Sequence, residues 1–311
     1  MSATQSPADQ AGSVPSKWAS DDIPRQDGRT FVVTGANSGL GLITARDLAA
    51  AGARVVMAVR NIDKGRAEAD RISGTVEVEK LDLAELASVR AFAERFQGPI
   101  DVLVNNAGLM AIPESRTADG FEMQIGTNHL GHFALTGLLI GRLTDRVVTL
   151  SSGAHRIGKI RLDDLNWKQG YKRWPAYGQS KLANLMFAME LQRRLEAAGS
   201  QLRSMAAHPG YASTNLQSRT ESIQDTLMGI GNKLFAQSAQ MGALPQLYAA
   251  TAPDLAGGSF IGPDGIGEQR GHPKQVEGDE RSQDSDVQRR LWELSEELTG
   301  VRFELGASAA A

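Results

Sequence analysis

From residue 30 onward, short apolar, β-branched runs alternate with longer stretches whose apolar positions recur every three to four residues. The runs fall at 31–33, 53–58, 76–81, 100–104, 146–150 and 202–207. The first of them, 31–33, has no polar alternation and reads as a buried parallel strand. Between them the three-to-four pattern predicts helices beyond Gly41, over 63–72, over 86–96 with Val89, Phe92 and Phe96 on one face, within 121–139, and over 176–198. Strand and helix in strict alternation predict an open parallel sheet with helices on both faces. The pattern loosens over 214–242. It then predicts a helix over 241–250, a last short strand at 259–261, a Gly/Pro-rich loop, and an amphipathic helix over 287–298 stopped by Gly300. No solenoid-type repeat is present.

Composition sharpens this picture mainly by exclusion. At 311 residues the chain suits one large α/β domain, and its net charge of −3, without long basic or acidic blocks, suggests neither nucleic acid nor an anionic membrane surface. The absence of cysteine removes disulfides, thiolate catalysis and thiolate metal sites, and suits a reducing compartment. No apolar run approaches the roughly 20 residues of a membrane span. Residues 1–17, rich in Ser, Ala, Gln and Pro, read as a disordered tail rather than a secretory signal, which makes a cytoplasmic location the expectation. The expected organisation is a single domain over 18–262, with an inserted segment at about 155–175 and a substrate lid at about 212–242. A C-terminal extension over 263–311 carries a helix at about 286–299.

The first strand breaks into Thr34-Gly35-Ala36-Asn37-Ser38-Gly39-Leu40-Gly41, with glycines at TGxxxGxG spacing ahead of a helix. Such a turn gathers free backbone N–H groups at the positive end of a helix dipole, where a dinucleotide pyrophosphate sits. This points to a Rossmann-type doubly wound sheet. At the end of the second strand, where an acid would bind a ribose 2′-hydroxyl, stands Val59, followed by Arg60 and Asn61, with Lys64 one turn on. A carboxylate would repel a 2′-phosphate and an arginine fork pairs with it, so NADP(H) is the expected cofactor; the competing reading is a merely solvated Arg60. Asp82-Leu83 closes the third strand and Asn105-Asn106-Ala107-Gly108 the fourth, both at the carboxyl edge where ligands of open sheets bind. The GxG at Gly265 and Gly267 precedes no helical run and reads as a loop.

Of the four tyrosines, only Tyr177 has a lysine four residues on, Lys181, one helical turn away on the same face. A nearby ammonium lowers a phenol pKa, so this pair is a candidate proton donor and acceptor. Upstream, Ser151-Ser152 follows the fifth strand and Asn128 lies in a helical run; downstream, His208-Pro209-Gly210 follows the sixth strand, with Thr214 beyond. His129 and His132 sit three apart on an apolar run with no third ligand cluster, so packing is favoured over a metal pair and no metal is expected. Trp167 and Trp174 either border a substrate mouth or pin the insertion to the body. Met228, Phe235 and Met241 belong either to a lid or to ordinary helix faces.

Taken in order over about 28–261, these elements resemble the short-chain dehydrogenase/reductase family. TNHLGHF, SKLANLMF and HPGYASTNL are similar in particular to its retinol dehydrogenase, WW-domain oxidoreductase and protochlorophyllide reductase branch. The resemblance implies Tyr177 as general acid/base, Lys181 lowering its pKa and holding the nicotinamide ribose, and Ser152 polarising the substrate carbonyl. It also implies Asn128 anchoring a relay water and Thr214, after Pro209-Gly210, touching the carboxamide. The stretch from Ser152 to Tyr177 is longer than usual in the family, a length familiar in the retinol dehydrogenase branch, so the resemblance favours Ser152 over Ser151. The implied activity is NADP(H)-dependent interconversion of a carbonyl and its alcohol, on a small lipophilic aldehyde or ketone, by a chain that the family's habits would make a homo-oligomer. The rivals are a catalytically silent NADP(H)-binding regulator and a reductase of carbon–carbon double bonds. The intact Ser-Tyr-Lys set speaks against the first, and the missing cysteines against the second.

Overall fold

The computed structural model describes residues 17–211 and 238–305. The N-terminal tail up to residue 16, most of the expected lid, and with them Thr214, Met228 and Phe235, lie outside the described residues.

Eight strands form one sheet in the order β3-β2-β1-β4-β5-β6-β7-β8, parallel except for the last pair. They are β1 Thr30–Thr34, β2 Arg54–Val59, β3 Thr75–Lys80, β4 Ile100–Asn105, β5 Leu143–Leu150, β6 Arg203–Ala207, β7 Phe260–Pro263 and β8 Pro273–Gln275. The helices are α1 Gly39–Ala50, α2 Ile62–Ala69, α3 Leu86–Arg95, α4 Met123–Ile125, α5 Gly131–Leu139, α6 Arg173–Ala197, α7 Ala239–Thr251 and α8 Ser285–Thr299. Chain order reverses between β1 and β4, which makes their carboxyl ends the topological switch point.

The unbroken apolar strands divide their side chains between two cores. Phe31, Val33, Val55, Met57, Val102, Val104 and Val148 pack on the side of α1 and α7. Val32, Val56, Leu103 and Val147 face the other way, onto Phe92, Phe133, Leu135, Phe187 and Trp292. Burial on both faces is why these runs show no period of two. In register, Thr34 stands beside Ala58, Asn105 beside Thr149 and Leu150 beside Ala207, so the exits of β1, β2, β4, β5 and β6 share one edge.

Two local expectations are corrected. The long helix expected within 121–139 is interrupted by a π-helical turn, Gly126–Leu130. Here the Asn128 side chain bonds the Leu109 backbone and His132 Nδ1 bonds the Asn128 carbonyl at 2.9 Å, contacts that apolar periodicity does not encode. The Gly/Pro-rich stretch expected as pure loop supplies β8, a three-residue antiparallel edge strand, and the short 3-10 turn Ile266–Glu268. The final helix ends as expected, at Gly300 in a left-handed conformation (φ 62°).

Candidate active site

At the β1 exit Gly35 takes φ +66° and Gly39 φ +55°. A Cβ on Gly41 would come within 2.8 Å of the Gly35 carbonyl oxygen, so the turn closes only with glycine there. Ser38 caps α1 with extended backbone but without bonding its hydroxyl to the helix. Leu42 is the first helical residue whose N–H finds a backbone acceptor, on Ser38 at 3.3 Å, which leaves the N–H groups of Gly39, Leu40 and Gly41 facing out of the helix end. Asn37 lies in the same turn, half-buried.

The β4 exit is locked onto this turn by Thr34, whose hydroxyl accepts the N–H groups of both Asn106 and Ala107 at 2.9 Å. Asn106 Nδ2 donates to the Thr34 carbonyl at 2.7 Å, and its Oδ1 takes a hydrogen bond from Gln246 of α7 at 3.3 Å. His132 Nδ1 meets a carbonyl and must donate, so Nε2 is left to accept from the Thr34 hydroxyl at 2.8 Å. Burial lowers the His132 pKa to about 4, in keeping with this neutral tautomer. His129, its pKa lowered to about 3 by burial, bonds Ser295 at 2.9 Å. Among the described residues no group of three His, Asp or Glu side chains is placed to hold a metal ion.

Past β2, Arg60 and Lys64 are exposed, and the side chains of both make no hydrogen bond or ion pair among the described residues. Asn61, expected to contact the cofactor, is the cap of α2, its Oδ1 accepting the Lys64 N–H at 2.9 Å. Past β3, Asp82 Oδ1 is engaged by the Ala84 N–H at 3.0 Å, while Leu83 is buried with its carbonyl against Gly131.

Four residues converge on the sheet edge beside this cradle. Tyr177 and Lys181 stand on α6, both 5 % exposed. Lys181 Nζ donates to the Leu150 carbonyl at 3.1 Å and lies 5.9 Å from the Tyr177 ring centre. Lys181 Nζ and Asn128 Oδ1 both stand within 3.4 Å of the position a Cβ on Gly108 would take, so Gly108 is the floor on which they meet. Asn128 also donates to Ser180 at 2.9 Å, tying the π turn to α6. The two serines part company: Ser151 is buried and donates to the Lys181 carbonyl at 2.8 Å, whereas Ser152 is half-buried beside Tyr177. Burial raises the Tyr177 pKa above its ordinary 10, and the neighbouring Ser152 hydroxyl opposes the rise by hydrogen bonding. Burial also lowers the Lys181 pKa, to about 8.

The insertion is pinned by its aromatics. Trp167 is buried under the Arg161 guanidinium, 4.1 Å from the ring centre, and edge-on to Tyr171; Tyr171 donates to the Ile112 carbonyl at 2.9 Å. Trp174 differs, standing half-buried and edge-on to Tyr177 with ring centres 6.2 Å apart. Past β6, a Cβ on Gly210 would come within 2.4 Å of the Gln269 carbonyl, and Pro209 precedes it at the same edge. Thr34, Gln246 and His132 were not singled out as site residues, because only their distant partners give them that role.

Outward N–H groups at a helix end and, one strand away, the Arg60 and Lys64 cations, which like the Ser38 hydroxyl have no side-chain partner among the described residues, form a donor set suited to a dinucleotide. Residues 29–225 match the family model described as short chain dehydrogenase. Mouse (Mus musculus) retinol dehydrogenase 12 is 42 % identical over 289 residues, covering 89 % of this chain and 88 % of that protein. A solved structure of an uncharacterised protein from Mycobacterium paratuberculosis is 52 % identical with a TM-score of 0.81, covering 93 % of this chain and 99 % of that one. The Pseudomonas aeruginosa RhlG/NADP active-site complex is 25 % identical with a TM-score of 0.61, covering 78 % of this chain and 96 % of that one. With its sheet order, glycine turn and Ser-Tyr-Lys edge in place, the chain belongs to the short-chain dehydrogenase/reductase family, oxidoreductases that use NAD(P)(H), and to its retinol dehydrogenase-like branch.

Proposed function

We propose that this protein interconverts a lipophilic aldehyde or ketone and its alcohol with NADP(H), with Tyr177 moving the proton. The observation that carries the reading is the meeting of Ser152, Tyr177, Lys181 and Asn128 at one buried corner next to the glycine turn. A bound NADP(H) supplies or receives the hydride at the substrate carbon. Tyr177, a phenol protonated at neutral pH, is suited to donate to the carbonyl oxygen, and Ser152 beside it to hold that oxygen. Lys181, about 8, is mostly charged at pH 7 and stabilises the phenolate that donation leaves behind. Burial of the corner keeps water from competing for these groups.

NADP(H) over NAD(H) is supported by the exposed Arg60 and Lys64, which have no carboxylate partner among the described residues, and by Val59 where an acid would sit. The name of the mouse retinol dehydrogenase relative supports a lipophilic alcohol or carbonyl substrate. The test is NADPH depletion across lipophilic aldehydes, ketones and quinones, repeated with NADH. Turnover with a carbonyl at low NADPH supports the reading, and equal use of NADH removes the cofactor assignment. Replacing Arg60 with Ala should weaken NADPH by roughly 10- to 100-fold, the scale of a charge-assisted contact, and leave NADH unchanged.

A further inference from the structure

The turn that carries Ser152 is a weak platform by itself. Gly153–Ile157 is a 3-10 turn, held internally by the Ala154 N–H on Ser152 Oγ at 3.2 Å and His155 Nδ1 on the Ser152 carbonyl at 2.7 Å. Such turns have poorer hydrogen-bond geometry than an α-helix. The turn is nevertheless pressed against the helix bearing Tyr177. Gly158 approaches so closely that a Cβ there would come within 2.3 Å of the carbonyl oxygen of Gly178, the residue after Tyr177.

What holds it there from outside comes from the chain beyond β7. Arg281 donates through Nη1 to the Gly158 carbonyl at 2.8 Å and through Nη2 to the Arg156 carbonyl. One carboxylate oxygen of Glu268 receives both Arg156 Nη2 at 2.8 Å and His208 Nε2 at 3.0 Å, joining the Ser152 turn to the first residue past β6. Glu268 takes φ +56°, a left-handed conformation unusual for a non-glycine, and it persists because both partners fix it. His208 first, and then Arg156, keep its carboxyl ionised, with a pKa lowered to about 2.

We propose that Arg281 and Glu268 are positioning residues, clamping the Ser152 turn against α6 so that the Ser152 hydroxyl stays registered on Tyr177. This rests on the reaction proposed above and gives the C-terminal chain a part in it. A misplacement of about 1 Å at a reacting group can cost on the order of 100-fold in rate.

The test uses the full chain with Arg281→Met, Arg281→Lys, Glu268→Gln and, as a control far from the turn, Arg289→Met. For each, kcat and KM for a reducible aldehyde, NADPH affinity by fluorescence, and amide hydrogen exchange over 152–158 are measured. Arg281→Met should lower kcat by roughly 10- to 100-fold with NADPH affinity within about twofold of wild type. It should also speed exchange over 152–158, with Arg281→Lys recovering part of both and Arg289→Met unaffected. Glu268→Gln should show a smaller loss of the same kind. Wild-type kcat in Arg281→Met, or exchange over 152–158 unchanged, overturns the clamp; so does a loss of NADPH affinity as large as the loss of kcat, which marks general damage. If the wild type turns over no carbonyl, the reaction fails, and the exchange measurement still decides the clamp.

Discussion

At Ser151 the hydroxyl is spent on the Lys181 carbonyl, and at Ser152 it stands half-buried beside a raised phenol. Their variants should therefore differ in kind. Ser152→Ala should lower kcat on the order of 10²- to 10³-fold, far beyond what the lost cap on the Ala154 N–H, about 1 kcal/mol of stability, would account for. Ser151→Ala should instead lower stability by about 1 kcal/mol, read by urea titration, and leave kcat within a few-fold of wild type. Lys181 carries a stability cost of its own. Its pKa is about 8 in the fold against an ordinary 10.5, so between these values the unfolded chain binds more protons. The penalty is thus fully present below about pH 8 and fades as pH rises toward 10.5. Lys181→Met should melt higher than wild type at pH 7, by a margin that shrinks by pH 10, while turnover is lost. Asn184 still supplies the Leu150 carbonyl with a donor at 2.9 Å, so the variant leaves no orphaned acceptor there. Spacing made the Tyr177–Lys181 pair visible in the sequence. It could not reveal that both side chains are buried, nor that Thr34 holds the β4 exit, since both depend on which distant residues fold against them.

Among the elements, the central strands were readable because two-sided burial leaves continuous apolar runs, whereas the exposed edge strand β3 (TVEVEK) alternates. The π turn was not, because an i, i+3, i+4 pattern reads the same through one widened turn. The C-terminal helix α8 showed its amphipathic face in sequence but not what it covers. Trp292 of that helix stacks with Phe187 of α6, meets Phe133 of α5 edge-on at 5.0 Å, and packs against Phe303 at 4.4 Å. Gly137 admits the end of the chain, since a Cβ there would come within 2.7 Å of Val301 and 2.8 Å of the Phe303 ring. At 2 % exposure, Trp292 is part of the core shared by α5 and α6. Trp292→Ala should cost about 3–5 kcal/mol in denaturant unfolding. A cost under about 1 kcal/mol would show that α8 is only loosely docked.

Across the whole molecule, the sheet separates two kinds of polar chemistry. Near the start of β5, Asp145 gathers Arg29, Arg146 and Arg203, and the buried Arg146 also caps the carbonyls of Ala249 and Ala252. Those charges are paired and serve the fold. At the carboxyl edge the glycine turn, Arg60 and Lys64, and the Ser-Tyr-Lys corner lie along one line of strand exits, where the two cations have no partner among the described residues. This division follows from the parallel topology, and it is why motifs scattered from Gly35 to Gly210 share one edge. The central claim is that Tyr177 moves the proton at that edge. It is tested most directly by kcat of Tyr177→Phe on a carbonyl the wild type reduces, with NADPH affinity measured on the same sample. The expected result is a fall in kcat of on the order of 10²- to 10⁴-fold with NADPH affinity within about twofold of wild type. Turnover within tenfold of wild type would contradict it.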